Sequence, residues 1–166
     1  MAMNEMIYTV RMATAEDARE LARLRWEFRV EEQVRQTREE FIDACEEWLI
    51  EALNAGNWVV AVVESESSSL GGCIYLQCVE KVPVPGELRR AWGYVTNSYV
   101  SPELRGAGIG GKLLDILCDA GRERMLEFLI VWPSKKAVPF YQRAGFLEVS
   151  NKYTGPDDEP PLEMNL

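Results

Sequence analysis

The sequence predicts a mixed α/β fold, and three observations carry the prediction. Apolar periodicity along the 166 residues gives the order β-α-α-β-β-β-α-β-α-β-β, which is neither strict βαβ alternation nor separate blocks of strands and helices. Two neighbouring strand patterns, 58–63 and 71–79, flank a serine-rich turn at 65–69 and read as a hairpin, so part of the sheet is antiparallel. Between residues 106 and 111, four glycines separate an apolar strand from an amphipathic helix.

The elements follow in order. Residues 7–12 alternate weakly and form a first strand. Thr14, with Glu16 and Asp17 behind it, marks a helix start with acid in the first turn. Leu21, Leu24 and Phe28 continue that helix at its own spacing. Thr37-Arg38-Glu39-Glu40 is a capping box that opens a second helix. Phe41, Cys45, Trp48 and Ala52 predict its buried face, and Gly56 its end. The run 58–63 is apolar throughout, as in a strand covered on both faces. Residues 82–86 (Val-Pro-Val-Pro-Gly) are a loop, and 92–100 the strand that feeds the glycines. Ile109, Leu113, Ile116, Leu117 and Ala120 turn the next helix's apolar face to the sheet. Residues 128–132 form a strand and 135–144 a short helix. Residues 146–152 and 162–166 form a closing hairpin across an acidic, Pro-rich loop. With no internal repeat, residues 1–166 read as one domain.

Composition narrows the function classes. A net charge of −9 argues against a nucleic-acid track, which needs clustered Lys and Arg. The same charge attracts a cationic substrate such as an amine, unless it serves solubility alone. No apolar run approaches the ~20 residues that span a bilayer, and the N-terminus lacks the pattern of a signal peptide, so no membrane partner is expected. Cys45, Cys73, Cys78 and Cys118 form no C-x-x-C pair, and the chain has no histidine, so no metal site is expected. The thiols read as free cysteines in a reducing cytoplasm.

The glycine turn is built to bind phosphate, because glycine lets backbone N–H groups approach an anion at a helix N-terminus. Three signatures overlap on it. The nucleotide P-loop reading fails at Leu113, where a hydroxyl is needed for Mg²⁺. The dinucleotide reading fails because five residues, 101–105, separate the strand from the first glycine. The ribose-binding acid is also missing from Ile130-Val131-Trp132-Pro133. The third signature is Arg105-x-x-Gly108-x-Gly110, and a second motif stands downstream: Ser134, a short helix, then Phe140-Tyr141-Gln142-Arg143-Ala144-Gly145-Phe146.

These two motifs, with the lead-in Tyr99-Val100-Ser101-Pro102-Glu103, resemble the GNAT N-acetyltransferase superfamily. The resemblance is close over residues 91–150 and rests on element order over 7–80. It implies a central mixed, mostly antiparallel sheet of about seven strands flanked by four helices. Two central parallel strands, ending at Val100 and Trp132, should splay apart. It also implies transfer of an acetyl group from acetyl-CoA to a primary amine, carried by a small molecule or a peptide. Many relatives are dimers, so a homodimer is one option here and the oligomeric state stays open.

The resemblance assigns roles residue by residue. The backbone of Gly106, Ala107, Gly108, Ile109, Gly110 and Gly111 would hold the pyrophosphate. Lys112 either adds charge there or is a solvated helix residue, and Arg105 shapes the loop. Ser98, Tyr99 and Val100 would pair through their backbone with the pantetheine amides. An N–H near Tyr99 or Val100 would stabilise the oxyanion. Tyr141 matches the family's general acid, which protonates the leaving thiolate. Ser134 stands where the family commonly has asparagine, and it either bonds the cofactor arm or does not. The general base is not at its usual places: 92–100 contains no acid, and the position five before Ser134 is Leu129. Glu27, Glu31, Glu32, a water chain or an amine that arrives neutral are the remaining choices. The missing base keeps a second reading open, a catalytically weak acyl-CoA sensor or partner-binding module. Acceptor choice is expected to lie with residues 26–40, 82–90 and 154–161. Trp26, Trp92 and Trp132 line the acceptor site or belong to the core.

Overall fold

Residues 8–149 and 160–166 are described by a computed structural model. The expected strand start at Ile7, positions 150–152 of the closing hairpin and 154–159 of the acidic loop lie outside the described residues. Seven strands form one sheet in the order β1-β2-β3-β4-β5-β7-β6. They are β1 (Tyr8–Met12), β2 (Trp58–Ser65), β3 (Leu70–Glu80), β4 (Ala91–Val100), β5 (Phe128–Val131), β6 (Leu147–Glu148) and β7 (Leu162–Asn165). Every neighbouring pair is antiparallel except β4 with β5. The helices are α1 (Ala18–Phe28), α2 (Arg38–Ala55), α3 (Ile109–Glu123) and α4 (Val138–Arg143). The mixed, mostly antiparallel seven-stranded sheet with four α-helices is the expected architecture.

The sheet separates two cores. Val60 and Val62 of β2, with Cys73 and Tyr75 of β3, face α1 and α2. Val59, Ala61, Val63, Ile74 and Leu76 face α3. Residues 59–63 are therefore buried on both faces, as an apolar run without polar alternation requires. The α2 capping box forms as expected, with the Glu40 amide donating to Thr37 Oγ1 at 3.3 Å. The buried face of α2 is rotated from the expected one. Ile42, Leu49 and Ala52 are buried, whereas Trp48 is 47% exposed and packs edge-on against Trp58. A large ring at the flank of a helix shields the seam without entering it.

Two departures from a plain sheet position the site. First, β3 begins Leu70-Gly71-Gly72, and a Cβ on Gly72 would lie 2.8 Å from the Tyr99 carbonyl oxygen. Glycine is what lets the end of β4 come this close. Second, β4 carries a bulge. Cys73 pairs with Tyr99 but Tyr75 with Thr96, so Ile74 faces both Asn97 and Ser98. Asn97 takes φ +50°, in the left-handed region that asparagine tolerates better than most residues. The predicted strand over 146–152 begins later, at Leu147. Phe146 is instead fully buried against Tyr141, with ring centroids 5.5 Å apart.

Candidate active site

The bulge reverses side-chain alternation along β4. Val95 packs on the α3 side, whereas Tyr99, four residues on and of the same parity, packs on the α1 side. Ser98 and Val100 thereby turn toward α3 and α4 and line a cleft of about 620 Å³. The Tyr99 ring leaves the cleft and meets Phe28 at 5.4 Å. Burial raises the Tyr99 phenol pKa, and the Glu27 carboxylate nearby raises it further.

The parallel pair β4–β5 is short. Gly93 pairs with Leu129 and Tyr94 with Ile130, after which β4 runs six residues to Val100 with no partner on that side among the described residues. Residues 95–100 therefore keep an open strand edge beside the cleft, able to pair with an extended ligand. One acceptor on this stretch is already engaged: Arg105 Nε donates to the Val100 carbonyl at 2.8 Å. Arg105 thus ties the glycine turn to the end of β4.

The turn itself opens into the same cleft. Gly106 and Gly108 hold φ of +82° and +74°, and a Cβ at either would meet nothing within 4 Å. Gly108 caps the 15-residue α3 with no side-chain hydrogen bond. Among the described residues, no amide from Gly106 to Gly111 donates to another loop or turn carbonyl. A row of N–H groups left unpaired at the positive end of a long helix attracts an anion. Ile109, Gly110 and Gly111 line the cleft with Gly106 and Gly108. Ala107 is exposed and outside the lining. Lys112 points away: its Nζ donates to Tyr8 Oη at 3.0 Å and lies 5.0 Å above that ring.

Tyr141 stands behind the cleft, 3% exposed, between Phe140 and Phe146. Burial raises its phenol pKa, and the Ser98 hydroxyl beside it pulls the other way. The phenol is therefore protonated at neutral pH and lies beside Ser98, one of the two β4 residues that line the cleft. Ser134 is exposed, and its carbonyl accepts the Ala137 and Val138 amides at the start of α4. No acid lies on β4 or β5. Glu27 is held by Arg23 Nη1 at 2.6 Å, Glu32 pairs with Arg29, and Glu31 is exposed. No set of His, Cys, Asp or Glu able to hold a metal ion occurs among the described residues. No helix among them is long and apolar enough to cross a membrane.

Five cleft residues were not singled out from the sequence: Leu104, Asp115, Phe140, Arg143 and Ala144. Phe140 and Arg143 had a signal. They are three apart on α4 and share a face, while Tyr141 turns to another. Gly110 answers Phe140, since a Cβ there would sit 3.2 Å from its ring.

This fold, with its parted parallel strands and bare helix start, defines an acetyltransferase scaffold. The acetyltransferase (GNAT) family profile matches residues 16–146, and the chain belongs to that family. A glucosamine 6-phosphate N-acetyltransferase from Trypanosoma brucei brucei is 39% identical over 57 residues, which is 34% of this chain. The match spans only 39% of that relative's length. Among solved structures, a predicted acetyltransferase from Clostridium acetobutylicum, crystallised with acetyl-CoA, aligns with a TM-score of 0.71. That alignment has 20% identity over 91% of this chain and 96% of the other. A GCN5-related N-acetyltransferase from Ralstonia eutropha aligns at 0.67 with 26% identity, over 90% and 98% of the two chains. Glucosamine-6-phosphate N-acetyltransferase from Arabidopsis thaliana aligns at 0.70 with 21% identity, over 92% and 99%.

Proposed function

We propose that this chain, as one domain over residues 1–166, transfers an acetyl group from acetyl-CoA to a primary amine. One observation carries the reading: the bare α3 amides and the open edge of β4 meet in a single cleft. A molecule with an anionic end and an extended amide arm uses both. The N–H groups of Gly106 to Gly111 take the pyrophosphate, and Ser98 to Val100 pair with the arm. The amine nitrogen attacks the thioester carbon, the C–S bond breaks, and the departing sulfur takes the proton from Tyr141 Oη. The amine's own proton leaves through water or Glu27, since neither central strand supplies an acid. The free thiols Cys45, Cys73, Cys78 and Cys118 fit a cytoplasmic protein.

The test has two stages. Thermal unfolding with acetyl-CoA at ~100 times its Kd should show about 2.7 kcal/mol of stabilisation, with NAD and ATP giving none. No shift with acetyl-CoA would end the reading. Acetyl-CoA with a panel of amines, glucosamine 6-phosphate first because of the named relatives, should then release free CoA. The absence of a carboxylate from β4 and β5 favours one alternative, an acyl-CoA-binding sensor. Binding without CoA release for any amine would select it.

A further inference from the structure

We propose that Arg25 and Asn97 are positioning residues: their side-chain contact holds the β4 bulge that presents Ser98 and Val100 to the cleft. The purpose of this device rests on the acetyl-CoA reading above, while its geometry does not.

Arg25 is the odd arginine of α1. Arg19 and Arg23 each pair with carboxylates. Arg25 is half-buried and makes no salt bridge among the described residues. Its Nη1 donates instead to Asn97 Oδ1 at 2.5 Å, across 72 positions of sequence. A guanidinium taken partly out of water needs acceptors, and a neutral amide is a weaker one than a carboxylate. The other neighbours carry no charge to pair with it: Cys73 is fully buried, with Sγ 4.0 Å from the Asn97 carbonyl oxygen, and the phenol of Tyr75, 5% exposed, also hydrogen-bonds the Asn97 side chain. The amide therefore answers a charge that has no carboxylate to meet.

The contact selects between two arrangements of one strand. Without the bulge, alternation would continue unbroken from Val95, since side chains on a strand repeat every two residues. Tyr99 would then face the cleft, and Ser98 and Val100 would face α1. With it, the Tyr99 ring packs at a tilt against Phe28, while Ser98 reaches Tyr141. The left-handed φ at Asn97 is unfavourable for most side chains, so something must hold it. Arg25 reaches that residue from the opposite layer, and its cation also lies 5.8 Å from the Phe28 ring that receives Tyr99. One side chain thus contacts both the bulge residue Asn97 and the ring that receives Tyr99.

The test compares the wild type with Asn97→Ala, Arg25→Met, Asn97→Gly and Asn97→Asp. Acetyl-CoA Kd is measured by calorimetry. The Tyr141 phenol is followed by its ¹³Cζ resonance in tyrosine-labelled protein, assigned with Tyr141→Phe. Thermal unfolding of each apo protein reports folding. Asn97→Ala and Arg25→Met should weaken acetyl-CoA roughly tenfold, the effect of one or two lost hydrogen bonds. Both should also move the Tyr141 resonance, because Ser98 no longer reaches it. Asn97→Asp keeps a left-handed residue and gives Arg25 a carboxylate, so it should restore both readouts. If the alanine variant fails to fold, Asn97→Gly decides, since glycine takes positive φ without strain yet offers Arg25 nothing. Wild-type affinity and an unmoved Tyr141 resonance in the folded variants would overturn the proposal. Failure of the wild type to bind acetyl-CoA would sink the functional reading instead. The Tyr141 resonance needs no ligand and would still decide the clamp.

Discussion

The β2–β3 pair and the β4–β5 pair sit two strands apart in one sheet and use their backbones in opposite ways. β2 and β3 match from Trp58–Gln77 to Glu64–Leu70, and β2 packs against helices on both faces. β4 and β5 match over two residue pairs and then part. Where the ladder is complete, the side chains set stability. Where it stops, N–H and C=O groups remain to be satisfied, and a groove beside them turns that need into a binding site. The comparison predicts that stability and cofactor handling separate cleanly by position.

The largest expected effect is on the open side. Tyr141→Phe removes the proton donor and keeps the ring between Phe140 and Phe146. It should lower kcat by about 10²–10⁴ while acetyl-CoA affinity stays close to wild type. Steady-state CoA release and calorimetry check the two halves, and unchanged kcat would remove Tyr141 from the mechanism. The counterpart on the closed side is Leu49→Ala in α2. It should cost about 2–5 kcal/mol of stability with no change in acetyl-CoA Kd. A parallel loss of affinity would show that the two sides are coupled.

Much of the closed side was legible in the sequence. The apolar run 59–63, the Thr37 capping box and Gly56 are local signals, and each acts through neighbours in the chain. The glycine turn was legible for the same reason: Gly106 to Gly111 and α3 are contiguous. What sequence could not show depends on contacts between distant segments. The Asn97 bulge depends on Arg25, 72 positions away. It decides that Ser98 and Val100, and not the Tyr99 ring, face the cleft. Adjacency left Lys112 either adding charge at the turn or solvated, and neither option foresaw Tyr8 of β1, which draws it off. The rotated face of α2 depends on Trp58, which gives Trp48 a partner outside the core.

A substitution inside the glycine turn separates binding from folding more finely. A Cβ on Gly111 meets nothing within 4 Å, and its φ is not in the left-handed region. Gly111→Val should therefore keep or slightly raise the apo Tm, since valine is the better helix residue. It should weaken acetyl-CoA by on the order of tenfold, because the new side chain stands over the amides that would meet the anion. Gly72→Ala should instead lower the apo Tm: its Cβ would lie 2.8 Å from the Tyr99 carbonyl oxygen, costing roughly 1–3 kcal/mol through overpacking. A drop in Tm for Gly111→Val, with normal binding, would erase the distinction.

The smallest effect concerns pH and belongs to the closed side. Burial pushes the Cys73 thiol from its ordinary 9.0 up to about 12. Its folded pKa is the higher one, so the unfolded chain releases this proton first. The stability it contributes is complete below about pH 9 and is lost as pH rises from there toward 12. Between pH 9 and 10 the loss from this one group is about 1 kcal/mol. Thermal unfolding measured at half-unit steps from pH 8 to 10.5 should therefore show Tm falling. In Cys73→Ala the fall should be shallower by one proton's worth, while the slope left behind belongs to the other acids that burial raises, Tyr75, Cys118 and Tyr141 among them. Equal slopes in the two proteins would mean that water already reaches Cys73, and that the closed side is not closed where the Arg25–Asn97 contact crosses it.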